Sequence, residues 1–294
     1  MREDDLYYHE PVLVDEVLQW LNVKEDGIYV DGTLGLGGHT RAILEKGAPS
    51  AKVYAFEWNE ETLQIARERL RKYEDRLKII PKNFIYIREE MEKEGLKVDG
   101  VLLDLGLSSF LIEGSGRGFT FQKDEPLDMR MNLELGLKAE DILNSFSEEE
   151  LCRVFAKGEV PRARGFARFI VKKRKEAPFR TTFDLVSAVR EFFKPVKRKE
   201  KDLLAIVFQA LRIEVNHELE NLERALKEVP EVLKPGGRFL IISFHSLEDR
   251  LVKRAFKSDP RLLVLTKKPI VPSLEEVRRN PRARSAKLRV AERR

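Results

Sequence analysis

Asp31-Gly-Thr-Leu-Gly-Leu-Gly-Gly-His39 follows the short apolar run Ile28 to Val30 and leads into an amphipathic stretch through Ala42 to Leu44. A strand that runs into a glycine turn and then a helix lets backbone approach a ligand with no Cβ in the way. A second apolar run, Val53 to Phe56, ends at Glu57, an acid placed to accept from both hydroxyls of an unphosphorylated ribose. The layout is that of a nucleotide pocket, although a glycine turn taken alone is equally compatible with a plain strand-to-helix connection.

The alternation continues along the chain. Glu61 to Tyr73 reads as a helix, and Leu77 to Ile80 and Val101 to Leu103 read as strands. Strands alternating with helices predict a parallel sheet covered on both faces. After Asp104 the alternation stops, and a turn rich in glycine (Gly114, Gly116, Gly118) opens segments of helical character almost to residue 228, among them Ala139 to Leu143, Ser147 to Phe155 and Phe183 to Phe193. Ser147 and Glu150 have the spacing of a capping box, which predicts a helix start there. Strand character returns at Arg238 to Ser243, after the turn Lys234-Pro-Gly-Gly, and again around Leu262 to Thr266. The expected fold is therefore an α/β, Rossmann-like sheet domain (residues 1–107 and 208–294) interrupted by a helical insert (residues 108–207). In such sheets ligands lie beyond the carboxyl ends of the strands, where Asp31, Glu57, Asp104 and the segment after Ser243 all fall.

The chain of 294 residues is 42% hydrophobic and 36% charged, with 55 Lys and Arg against 50 Asp and Glu. The net charge of +5 is modest, so the basicity that matters is local. Between Arg153 and Arg180 ten Lys and Arg meet only Glu159 and Glu176, and from Arg278 to Arg294 eight meet only Glu292. Two such segments beside a nucleotide pocket suit a polyphosphate partner, RNA or DNA, against the plain alternative of solvated helix faces and a frayed tail. The single cysteine, Cys152, excludes an internal disulfide and a multi-cysteine zinc site, and its neighbours Leu151, Val154 and Phe155 place it in a core. With an acidic start, Met1 to Asp5, and no run of apolar residues long enough to span a bilayer, the expectation is a cytoplasmic protein with no membrane partner.

Chemistry concentrates at four strand ends. Gly35, Gly37 and Gly38 would let the chain wrap an adenosyl ligand, with His39 starting the helix; Phe84, after the third strand, would lie against an adenine ring or simply pack. Asp104 ends an otherwise apolar strand, where a carboxylate must be paired, solvated or functional. His245 and Ser246 follow Ser243 at a further strand end; the histidine would orient a substrate or join a buried hydrogen-bond network.

Seven stretches in one order, Asp31 to Arg41, Asp104-Leu-Gly-Leu-Ser-Ser109, Arg117-Gly-Phe-Thr-Phe121, Pro126-Leu-Asp-Met-Arg-Met131, Phe208-Gln-Ala-Leu-Arg-Ile213, Ser243-Phe-His-Ser-Leu-Glu-Asp-Arg250 and Asn280 to Arg289, together resemble the RsmH (MraW) methyltransferases over essentially the whole chain. The resemblance implies a Rossmann-like class I methyltransferase sheet with an inserted helical substrate-recognition domain. It implies transfer of a methyl group from S-adenosyl-L-methionine to the exocyclic N4 of one cytosine in the decoding region of bacterial 16S rRNA. By motif position it places the cofactor at Gly37, Gly38, His39, Glu57, Phe84 and Asp104, with Glu57 where many members carry Asp. The expected partner is 16S rRNA within the small ribosomal subunit, and a homodimer is left open.

Three positions depart from the family pattern: Leu111 in place of a glutamine expected to touch the cofactor, Gly158-Glu-Val-Pro-Arg162 in place of Gly-Glu-Glu-Arg, and Ala205-Ile206 in place of Thr-Arg. Arg162, Arg164 and Arg212 are the candidates to replace the lost substrate grip, with Arg282 and Arg284 in the basic tail; Phe119, Phe121 and Phe244 are candidates to stack on an extruded base. Asp104 is the candidate acceptor for an amino proton of cytosine, or else for the methionine ammonium of the cofactor, and His245 is a second catalytic candidate. Two other readings compete. A dinucleotide oxidoreductase would use the same turn and acid but leaves the basic segments unexplained, and a non-catalytic RNA-binding assembly factor would leave the strand-end acids without a purpose.

Overall fold

The computed structural model describes residues 11–194 and 197–294; the acidic start Met1 to Asp5 lies outside the described residues. The expected alternation is present as α1 (Val14–Leu21), β1 (Ile28–Asp31), α2 (Gly38–Lys46), β2 (Lys52–Phe56), α3 (Glu60–Leu70), β3 (Leu77–Ile80), α4 (Ile87–Lys93) and β4 (Val98–Asp104). The chain divides into two compact units, one of residues 1–108 with 219–294 and one of Ser109–Glu218.

The first unit is a seven-stranded sheet in the order β3-β2-β1-β4-β5-β7-β6, where β5 is Leu233–Ser243, β6 is Leu262–Val264 and β7 is Lys287–Arg293. The strands β1 to β5 pair in parallel, while β7 runs antiparallel to both β5 and β6. Alternate residues feed two cores, as a period of two requires. Tyr29, Val53, Ala55, Leu102, Leu240, Ile242, Leu288 and Val290 join α1, α2 and α3 on one face. Val30, Phe56, Val101, Leu103, Phe239 and Ile241 join α4, α11 (Glu218–Val232) and α12 (Ser246–Ser258) on the other. Strand order reverses between β1 and β4, so the crevice of this sheet opens where Asp31 and Asp104 end those two strands.

The second unit is helical: α5 (Ser109–Glu113), α6 (Ala139–Ser145), α7 (Glu148–Lys157), α8 (Ala163–Lys173), α9 (Thr182–Phe193) and α10 (Lys197–Asn216). The Ser147–Glu150 capping box is present at the start of α7, and Cys152 packs against the core of this unit. Its far boundary lies at Glu218 instead of residue 207, because α10 continues unbroken to Asn216 and buries Val207, Leu211 and Val215 in the helical core. Gly158 is required where α7 ends against α10: a Cβ there would lie 2.2 Å from Cβ of Ala210. In the departing segment 158–162, Val160 is buried in that core.

The basic tail is not frayed. Residues 287–293 are an interior strand, and Arg289 is buried with its guanidinium on Asp249 at 2.6 and 3.1 Å. Among the described residues no helix is long and apolar enough to cross a membrane.

Candidate active site

Asp31, only 1% exposed, organises the glycine turn from below. One carboxylate oxygen accepts from the Thr33 N–H at 3.1 Å and the other from the Thr40 hydroxyl at 2.7 Å. The first bond is the local turn that Asp makes with the residue two positions on; the second ties the turn to α2. Thr33 then accepts from the Asp104 N–H at 2.6 Å, and Gly32 donates to the Leu102 carbonyl, so the turn is fastened to β4. On the other side Leu34 donates to Phe56 and Gly35 donates to the Glu57 carboxylate at 3.1 Å, fastening it to β2. Each glycine has its own reason. Gly35 (φ +51°) and Gly37 (φ +85°) need the left-handed region; a Cβ on Gly37 would strike Leu70 at 2.6 Å, whereas one on Gly35 would meet nothing closer than a backbone oxygen at 3.9 Å. The open side of the turn is therefore at Gly35. Gly38 starts α2 hard against Pro11, leaving 2.8 Å for a side chain.

Glu57 is held by backbone. Its two oxygens accept from Gly35 and, at 2.8 Å, from Asn59. These bonds fix the carboxylate while each oxygen keeps acceptor capacity for a ligand hydroxyl. Burial pushes its pKa up to about 7 despite those donors, with Asp31 adding to the rise. Asp104 is also pushed above the usual carboxylate range by burial, opposed first by His39 and then by the Gly106 N–H, which reaches it at 3.2 Å. Burial likewise raises Asp31. Phe84 begins a short 3-10 turn that Asn83 caps, partly buried against the sheet.

His39 turns both ring nitrogens inward: Nε2 lies 2.8 Å from the Val12 carbonyl and Nδ1 lies 3.6 Å from Asp104. His245 has a structural duty. It caps α12, its Nδ1 accepting from the Glu248 N–H at 3.4 Å, while the Glu248 carboxylate accepts from the backbone of Phe244 and His245. The structure gives His245 a helix-cap role. Phe244 packs beside Gly106 in the sheet unit.

In the helical unit Arg162, Arg164, Arg168, Lys172 and Lys175 are exposed; Arg162 also lies 4.5 Å over the Phe192 ring, and Arg168 pairs with Glu148. Arg212, a candidate to grip RNA, bonds Glu218 through two contacts of 2.7 and 2.8 Å, a fork in a half-buried place. Phe119 and Phe121 pack on the helical core, Phe121 edge-on to Phe208 at 5.6 Å, so packing is their observed role. Leu111 is buried and offers no polar contact from its side chain. In the tail Arg284 is exposed and Arg282 is half-buried.

Sequence reading passed over Thr33, Thr40 and Asn59. The signal was present in Asp-Gly-Thr, the spacing at which an aspartate accepts from the residue two positions on. The motifs at 117–121 and 126–131 prove to build a self-bonded loop. Gly118 lies against Pro126, Met129 donates to the Arg117 carbonyl, Arg130 forks onto Asp128, and Asn216 bonds Met129 and Met131.

The chain is 47% identical to the ribosomal RNA small subunit methyltransferase H of Kosmotoga olearia, over 97% of each chain. It is 47% identical to the protein of that name from Thermotoga neapolitana (97% of this chain, 96% of the other) and 48% identical to that from Desulfotalea psychrophila (97% of each). Residues 6–294 match the MraW methylase family as a whole, and the chain belongs to that family.

Proposed function

We propose that this protein transfers a methyl group from S-adenosylmethionine to the N4 amine of a cytosine in small-subunit ribosomal RNA. The observation that carries the cofactor half is the preorganised Glu57. A carboxylate fixed by two backbone N–H groups, with acceptor capacity left and an open glycine turn alongside, suits a ribose that presents two hydroxyls. Gly35, Gly37 and Gly38 would receive the cofactor along the turn, His39 through its backbone at the helix start, Phe84 at the base, and Asp104 at the aminoacyl end or the reacting amine. S-adenosylmethionine supplies a methyl group already activated on a sulfonium, so the protein's contribution is mainly placement and charge. Asp31, Glu57 and Asp104 lie at the ends of neighbouring strands of the sheet unit, and their carboxylates, when ionised, favour a cationic cofactor.

The RNA half is supported by the exposed cations on and around α8, spaced Arg164, Arg168, Lys172 along one helix face. The site of modification within 16S rRNA and the assembled small subunit as substrate are parts of this proposal that rest on the family resemblance. The test is transfer of labelled methyl to small subunits lacking the modification, followed by nucleoside mass spectrometry. N4-methylcytidine at one site is expected; cofactor binding without transfer would instead favour the RNA-binding assembly factor. Asp104→Asn is expected to abolish transfer. Unchanged cofactor affinity in that variant would assign Asp104 to the amine, and lost affinity would assign it to the cofactor's ammonium.

A further inference from the structure

His39 is 6% exposed and its ring is fixed at both ends. A carbonyl oxygen only accepts, so the 2.8 Å contact with Val12 requires the hydrogen on Nε2. In a neutral ring Nδ1 is then a bare lone pair, and it faces Asp104 Oδ2 at 3.6 Å. Two lone pairs facing each other repel. The arrangement becomes attractive when one proton is added, giving either an imidazolium beside a carboxylate or a neutral ring beside a carboxylic acid. The other titratable groups that bear on Asp104 are Asp31 on β1 and Glu248 on α12, each of which raises it, with Asp31 bearing on Glu57 in turn. Among these groups His39 is the one whose charge favours an ionised Asp104.

We propose that His39 is the positioning residue for Asp104: anchored by Val12, its imidazolium holds the Asp104 carboxylate anionic and in one orientation, so that the remaining lone pairs accept from an amine or ammonium group. The inference rests on the placement of Asp104 at the reaction centre made above. Its consequence is that the acid limb of the pH–rate profile reports the His39–Asp104 pair and not Asp104 alone.

The test is single-turnover methyl transfer against pH at saturating cofactor, where the Glu57 contribution to cofactor binding drops out. Gln at position 39 places its amide near Nε2 and keeps the Val12 bond, whereas Asn places its amide near Nδ1 and keeps a donor toward Asp104. His39→Gln is expected to move the acid limb up by about one pH unit, a tenfold loss on the limb. His39→Asn is expected to restore part of that shift. A His39→Gln limb that superimposes on the wild-type limb overturns the proposal. For the wild-type protein, carbon and nitrogen NMR of the Asp104 carboxyl and the His39 ring gives the same answer independently of variant folding. Coincident titration supports the pair, and titration of Asp104 with no response at Nδ1 overturns it. Wild-type turnover by Asp104→Asn would instead overturn the placement of Asp104 itself, whatever His39 does.

Discussion

The two basic segments, Arg153 to Arg180 and Arg278 to Arg294, look alike as sequence and differ as structure. In the first, Arg164, Arg168 and Lys172 stand exposed along α8 while Phe166, Ala167 and Ile170 bury the opposite stripe. In the second, Leu288, Val290 and Ala291 are fully buried, and Arg289 is enclosed with Asp249 between strands and helix. Charge count does not separate them; periodicity does. Helical spacing collects the cations of α8 on one face, whereas a period of two at Lys287-Leu-Arg-Val-Ala-Glu-Arg threads the cations of the tail through a sheet. A basic tail is therefore no evidence of a nucleic-acid grip until its apolar residues are accounted for.

The comparison breaks most visibly if the tail is removed. Ending the chain at Ala286 deletes β7, which β5 and β6 both pair with, and uncovers three fully buried side chains. At about 1.5–3 kcal/mol for a Leu or Val, that approaches the whole stability of a domain, so no folded protein is expected by circular dichroism. A truncated chain that folds and merely loses RNA affinity would restore the frayed-tail reading. A smaller effect follows from Arg289→Met, which leaves Asp249 enclosed without its fork. A loss of about 3 kcal/mol in denaturant unfolding is expected, with the salt dependence of RNA binding unchanged. On α8 the pattern inverts. Replacing Arg164, Arg168 and Lys172 together by alanine is expected to change stability by no more than about 0.5 kcal/mol per site. The slope of log affinity against log salt should fall by about 0.7–0.9 for each phosphate contact removed. An unchanged slope would make α8 a solvated face only.

The same physics explains what could be read in advance. The order of strands and helices, the glycine turn and the acids at Glu57 and Asp104 were legible because each is a local pattern: alternating burial, a positive φ, a polar residue ending an apolar run. Strand β7 was not, because its Arg and Glu residues mask a short apolar alternation that only pairing with β5 makes decisive. The boundary at Glu218 was hidden because one continuous helix carries the chain out of the insert. The partners of Arg212 and His245 were hidden for a shared reason: each side chain bonds a carboxylate or caps a helix only a few residues away, and residue type alone does not reveal a local partner. The pair His39–Asp104 joins residues far apart in sequence, so their meeting required the sheet.

The helical unit and the sheet unit also differ in what charge does at equilibrium. In the free protein the raised Glu57 retains a proton that the unfolded chain has already lost, so its contribution to stability falls as pH rises from about 4.5 to about 7. Cofactor binding has the opposite sign, since hydroxyls donate best to the ionised carboxylate. The most direct measurement is calorimetric titration of S-adenosylmethionine from pH 6 to pH 8 into the wild-type protein, Glu57→Ala and the α8 triple variant. The account predicts wild-type affinity that rises through about pH 7, a loss on the order of 100-fold in Glu57→Ala together with loss of the pH dependence, and an α8 variant indistinguishable from wild type. Affinity in Glu57→Ala equal to wild type would contradict it.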